Sequence, residues 1–104
     1  MDISNNFSDI ITSFLCRKHE LFNFFDQVFL FGSTLKSNVI PNDIDLLLVY
    51  SVYNKKISNE IDFIKSSLEK DTLLPIDFTV LSMNELHEES FLSKVGMYQR
   101  IKLQ

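Results

Sequence analysis

The stretch that decides the fold is FLFGSTLKSNVIPNDIDLLLVY, Phe29 to Tyr50. Its first part belongs to a short aromatic and β-branched run, Gln27–Phe31 (QVFLF), which has the composition of a strand. That strand ends at Gly32-Ser33, Thr34 to Asn38 is expected as a short helix or turn, and Pro41-Asn42 closes it. Asp43 to Tyr50 (DIDLLLVY) then forms a second strand, whose nearly unbroken apolar run predicts burial on both faces. Asp43 and Asp45 are two positions apart, so on a strand they share a face. Their Cα atoms would lie roughly 6.5–7 Å apart, because a strand rises about 3.3 Å per residue. Two carboxylates so placed can converge on one divalent cation or bridge two.

Outward from this stretch, helices and strands alternate. Upstream, Phe7, Ile10, Ile11, Phe14, Leu15, Leu21, Phe22 and Phe25 recur at helical spacing, with Ser4 or Asn6 as the expected cap. Downstream, Ser58 to Lys70 reads as a helix with Ile57, Ile61, Ile64 and Leu68 on one face. Leu74 to Leu81 (LPIDFTVL) reads as a third strand, and Pro75 marks it as an edge or a strand start. Ser82 with Glu85 matches a capping box that opens a last helix, Gly96 stops it, and Met97–Gln104 forms a short strand or a loose arm. Strands interleaved with helices make this an α/β (α+β) chain, a small mixed sheet with helices packed on it.

The third strand adds a third acid. Asp77 sits between Ile76 and Phe78. A buried carboxylate without a partner is costly, so an acid inside an apolar strand usually has one. Neighbouring strands are about 4.8 Å apart, so Asp77 joins Asp43 and Asp45 if the two strands lie side by side in register. Three carboxylates that close repel one another unless cations neutralise them. Oxygen-only ligands favour Mg²⁺ or Mn²⁺, and two such ions about 3.5–4 Å apart serve in-line phosphoryl or nucleotidyl transfer. Gly32-Ser33 is the complementary half. A glycine lets the backbone approach a phosphate, Ser33 adds a hydroxyl and an N–H, and a helix starting at Thr34 would turn free N–H groups toward an anion.

Composition bounds the remaining choices. The chain has 104 residues, 45% hydrophobic, with ten Phe, two Gly, two Pro and one Cys. That is room for one domain, residues 1–104, and too ordered a composition for a low-complexity or disordered chain. No apolar run approaches the ~20 residues of a membrane span, and the lone Cys16 fits a reducing cytoplasm. The formal net charge of −4, with ten Lys and Arg, disfavours a nucleic-acid-coating role. Excess acid suits a site that holds cations.

These residues resemble the signature of the DNA polymerase beta-like nucleotidyltransferase superfamily. Its hydrophobic strand and Gly-Ser appear as VFLFGS, its Asp-hydrophobic-Asp strand as NDIDLLLV, and its separate third acid as PIDFTVL, within a resemblance spanning about residues 7–95. The resemblance implies a polymerase-beta-like palm in which Gly32 and Ser33 hold the β- and γ-phosphates of a nucleotide. It further implies that Asp43, Asp45 and Asp77 ligate two Mg²⁺ ions, with Asp77 helping to deprotonate an attacking hydroxyl that displaces pyrophosphate from ATP or another NTP. The size is similar to the minimal nucleotidyltransferases, some of which are antitoxins that place AMP on a tyrosine of a HEPN-type helical toxin. Where such forms often carry Arg-Gly this chain has Lys36-Ser37, and Lys36 would meet a phosphate as a point charge. The implied partner is therefore a protein, with homo- or hetero-oligomeric assembly completing a site too small to carry its own acceptor domain. The competing readings are transfer to a small molecule or an RNA end, and a non-catalytic nucleotide- or partner-binding module.

Other polar residues carry weaker signals. His19 and His87 lack any metal-ligand spacing, Lys55-Lys56 reads as a solvated pair, and Lys94 and Arg100 are candidates for acceptor or partner contact. Phe22, Phe24 and Phe25 exceed one helical face, and the surplus is a candidate interface.

Overall fold

The computed structural model describes residues 7–35 and 41–103. The order is helix α1 (Phe7–Arg17), a 3₁₀ turn (His19–Phe22), strand β1 (Gln27–Phe31), a second 3₁₀ turn (Gly32–Leu35), β2 (Ile44–Tyr50), α2 (Lys56–Thr72), β3 (Ile76–Ser82), α3 (Met83–Glu89), α4 (Phe91–Val95) and β4 (Tyr98–Arg100). The four strands form one mixed sheet in the order β3-β2-β1-β4. β1 runs antiparallel to both β2 and β4, and β2 runs parallel to β3 through the α2 crossover.

Alternation along the strands builds two apolar layers. One face presents Val28, Leu30, Ile44, Leu46, Leu48 and Ile76 to Ile11 and Leu15 of α1 and to Ile57, Ile64 and Leu68 of α2. The other presents Phe29, Leu47, Val49 and Leu81 to Leu86 of α3, with Phe91 and Leu92 of α4 packed alongside. Leu46, Leu47, Leu48 and Val49 are accordingly all fully buried, as their unbroken apolar run requires. The second layer is short. It covers the end of β2 near Val49 and leaves the beginnings of β2 and β3, which carry Asp45 and Asp77, only partly covered.

Two expectations need adjustment. The helical periodicity from Phe7 to Phe25 is not one helix: α1 stops at Arg17, and a 3₁₀ turn with three residues per turn re-aims the chain. That change of pitch turns Phe22 and Phe25 into the core and leaves Phe24 38% exposed, so the triple-Phe surplus reduces to one ring. The last helix is also two pieces, broken at Ser90, which adopts a left-handed conformation (φ 51°). The capping box at its start is present, with Glu85 N–H donating to Ser82 Oγ at 3.0 Å and Ser82 N–H to Glu85 Oε1 at 2.9 Å. The tail forms the short edge strand β4. The expected cap at Ser4 or Asn6, and Lys36 to Asn38, lie outside the described residues.

Candidate active site

The ladder between β2 and β3 decides the site. Its register sets Asp45 beside Asp77 and Ile44 beside Ile76. Asp43, one residue ahead of β2, falls on the same face as Asp45 by alternation. The strand entries are fixed by two hydrogen bonds, one within the backbone and one to a side chain: Ile44 N–H donates to Pro75 carbonyl at 2.9 Å, and Ile76 N–H to Glu69 Oε2 of α2 at 2.9 Å. As a result, one carboxylate oxygen from each of Asp43, Asp45 and Asp77 lies within 4.8 Å of the other two.

Gly32 forms the floor beneath this cluster. Phe31 pairs with Asp45 in the β1–β2 ladder, so the next residue, Gly32, leaves the strand against the Asp45 side chain. Gly32 has φ 80°, and a Cβ there would overlap Asp45 Oδ2 and sit 3.0 Å from its Cγ. Both the conformation and the space demand glycine. Ser33 follows it in the 3₁₀ turn, half-buried. Thr34, fully buried, sends its hydroxyl to the carbonyl of Asp43 at 3.4 Å, a long bond that joins the turn to the start of β2. Sequence reasoning took Thr34 as a helix start, whereas a 3₁₀ turn already begins at Gly32, and it missed the hydroxyl bond of Thr34 and the role of Glu69. Neither stands in a pattern that marks it, because each acts on backbone that is distant in sequence.

The electrostatics follow from this crowding. The carboxyl of Asp43 is held above the usual carboxylate range, first by a side-chain hydrogen bond with Asp77, then by burial and by repulsion from Asp77. Asp45 is also pushed up, first by burial and then by repulsion from Asp43 and Asp77. The three carboxylates thus crowd one another, and a cation held between them would relieve the repulsion. Among the described residues no Lys or Arg pairs with the three acids, and the ion pair present, Lys18–Asp71 at 3.5 Å, joins α1's end to α2. An all-oxygen donor set with an unneutralised charge fits a divalent cation of the Mg²⁺ or Mn²⁺ kind.

The other candidates lie apart. His19 is in the first 3₁₀ turn and His87 is exposed on α3, and neither joins the acid group. Cys16 is half-buried against the α1–α2 core. Arg100 is exposed on β4, two strands from Asp45 across the sheet, opposite Phe29. Among the described residues no helix is long and apolar enough to cross a membrane.

No family model matches the chain, and no curated protein matches its sequence. Among solved structures it is similar to a crystal structure of a "putative nucleotidyltransferase from Sulfolobus solfataricus", at 16% identity and a TM-score of 0.48, over 90% of this chain and 85% of that one.

Proposed function

We propose that the chain is a nucleotidyltransferase that moves a nucleoside monophosphate, AMP from ATP, to a hydroxyl of a partner protein. The observation that supports this reading most is the register of β2 on β3, which sets Asp45 beside Asp77 and, with Asp43, above Gly32. Asp43, Asp45 and Asp77 would hold the divalent cations, which supply Lewis-acid stabilisation of the charge on the transferring phosphoryl group. Gly32 and Ser33 offer backbone N–H groups and a hydroxyl to the phosphates, next to the Asp45 carboxylate that the absent Cβ of Gly32 admits. Asp77, the most exposed of the three acids, faces the side from which an acceptor arrives and takes the proton of the attacking hydroxyl. The hydroxyl oxygen bonds to the α-phosphorus, the bond from that phosphorus to the bridging oxygen breaks, and pyrophosphate leaves. The acceptor we favour is a HEPN-like helical protein encoded next to this chain, in a toxin–antitoxin pair.

The test is transfer of label from [α-³²P]ATP with Mg²⁺ or Mn²⁺ to the co-purified product of the neighbouring gene. Label on that product is expected, and its loss in Asp43→Ala and Asp45→Ala variants that still fold. Absence of label from any NTP with either cation, the partner being folded, overturns the catalytic reading. Retained cellular activity in the double variant would make the chain a binding module.

A further inference from the structure

The sheet has two outer strands, and they are covered to different degrees. β3 keeps only Asp77 exposed, whereas Tyr98, Gln99 and Arg100 of β4 are all exposed, so both faces of that strand meet solvent. β4 is held by its ladder to β1, and among the described residues no strand lies on its other side. The direction of its free backbone groups is fixed. Ile101 N–H donates to the Val28 carbonyl at 2.8 Å, so Ile101 and Gln99 turn their backbone groups toward β1. By alternation Tyr98 and Arg100 turn theirs outward. There the Arg100 carbonyl receives a long 3.4 Å contact from the side-chain amide of Gln99, its own neighbour. An edge of this kind is a template for another strand.

What the template fits is read from Met97-Tyr98-Gln99-Arg100-Ile101. Laid antiparallel on itself about Gln99, this stretch meets a matching residue at every position. Tyr98 falls opposite Arg100 of a second copy, Met97 opposite its Ile101, and Gln99 opposite its Gln99. A guanidinium beside a tyrosine ring gains a cation–π attraction, an apolar pair gains burial, and facing amides exchange hydrogen bonds. No like charges stand directly opposite, as a stable antiparallel pair requires. Tyr98 is 47% exposed and Met97 67%, so both have surface to bury. The Tyr98 ring is already braced edge-on by Phe29 at 5.6 Å, which lowers the cost of ordering it at an interface. The backbone agrees with the side chains. In this register the outward groups of Tyr98 face those of the second copy's Arg100, the two residues exchange both N–H···O bonds, and the two-fold axis repeats the exchange.

We infer that β4 is the interface of a homodimer: two copies of this chain pair their β4 strands antiparallel about Gln99 and form one continuous sheet in the order β3-β2-β1-β4-β4-β1-β2-β3. The same surface serves both copies, so the assembly closes at two. A β4 strand seated on β3 of another copy would leave edges free and propagate. The two-fold axis stands perpendicular to the sheet, so both acid clusters lie on the same face of the dimer. Asp45 sits two strands from β4, which puts the clusters five strand spacings apart, about 24 Å along the sheet. The inference stands on β4 alone and is independent of the nucleotidyl-transfer reading.

The test uses the full chain carrying Cys16→Ala, so that an introduced thiol is the only one. Gln99→Cys places two thiols at the axis, in a pair whose Cα atoms are about 4.5 Å apart, within the span that a disulfide bridges. Tyr98→Cys places them two residues out of register, about 8 Å apart, beyond that span. Mild oxidation should convert Gln99→Cys to a disulfide-linked dimer and leave Tyr98→Cys unlinked under the same conditions. Sedimentation equilibrium reads the association without a crosslink. Tyr98→Lys sets like charges opposite Arg100 on both sides of the axis, Tyr98→Glu sets opposite charges there, and both lose the same ring. Tyr98→Glu should therefore dimerise about tenfold or more tighter than Tyr98→Lys, with circular dichroism showing both folded. A wild-type chain that stays monomeric at millimolar concentration, equal linking or equal failure to link of the two cysteine variants, or equal association of Tyr98→Glu and Tyr98→Lys overturns the inference.

Discussion

Gly32 and Gly96 have nearly the same φ, 80° and 81°, and quite different surroundings. A side chain at Gly32 would strike Asp45, whereas a Cβ at Gly96 would meet nothing within 4 Å. The pair therefore separates backbone strain from site geometry. Gly96→Ala should cost about 1–3 kcal/mol of stability from its backbone conformation alone, φ 81° and ψ −109°, and leave Mn²⁺ affinity as it was. Gly32→Ala should cost about 1–3 kcal/mol more than the strain of its own positive φ, because a steric clash with Asp45 is added to it. It should also weaken Mn²⁺ binding by at least about tenfold, on the scale of disturbed metal-ligand orientation. Urea unfolding and Mn²⁺ titration of the two variants measure both quantities, and equal Mn²⁺ affinities would remove Gly32 from the site. Gly32 and the two acids of the Asp-Ile-Asp step were legible from sequence because each is a local signal with a fixed spacing. Thr34 was not, since its partner is a backbone carbonyl nine residues away.

At the scale of elements, the strands were easier to place than the helices. β1 matches its sequence bounds, Gln27–Phe31, because a four-residue apolar run, Val28 to Phe31, stands between polar and turn residues. β2 and β3 start one and two residues later than expected. The N-terminal helix shows what sequence periodicity misses: spacing of three or four residues fits an α-helix and a 3₁₀ turn alike, and only packing decides which. The end of α2 was equally unmarked. It stops at Leu73, which takes a left-handed conformation (φ 61°) with its side chain 85% exposed. Its N–H donates to Glu69 carbonyl at 2.9 Å, the bond usually closed by glycine at such a position. Leu73→Gly should therefore raise stability. The gain is about 0.5–1 kcal/mol, the left-handed penalty of a branched residue less the added flexibility of an unfolded glycine. A shift of the urea midpoint upward with an unchanged slope would bear this out, and a downward shift would mean that Leu73 contributes packing that its exposure hides. The adjacent Glu69–Ile76 bond holds the entry to β3, so the helix end and the acid site are mechanically close.

The whole molecule carries the acid cluster as a liability that a cation converts into stability. Asp43 and Asp45 keep their protons to higher pH in the folded chain than in the unfolded one. The folded state thus binds more protons across the window above the ordinary carboxylate range, and stability falls as pH rises through it. Below the unfolded values all the carboxyls are protonated in both states and the effect vanishes. Above the raised values the repulsion is complete and the loss levels off. A divalent cation bound only by the folded chain opposes this, adding about 2.7 kcal/mol at a concentration 100 times its Kd. It competes with protons for the same oxygens, so its contribution grows as pH rises. The prediction concerns the difference between wild type and an Asp43→Asn/Asp45→Asn variant, because the chain's other acids titrate in both. With EDTA, wild type should lose stability relative to the variant between pH 4 and neutral. With excess Mn²⁺ the order should reverse, wild type gaining most at the higher pH while the variant barely responds. Urea midpoints of both chains across that range, with and without Mn²⁺, decide it. Parallel curves under both conditions would mean that the three acids neither repel one another in the folded chain nor share a cation.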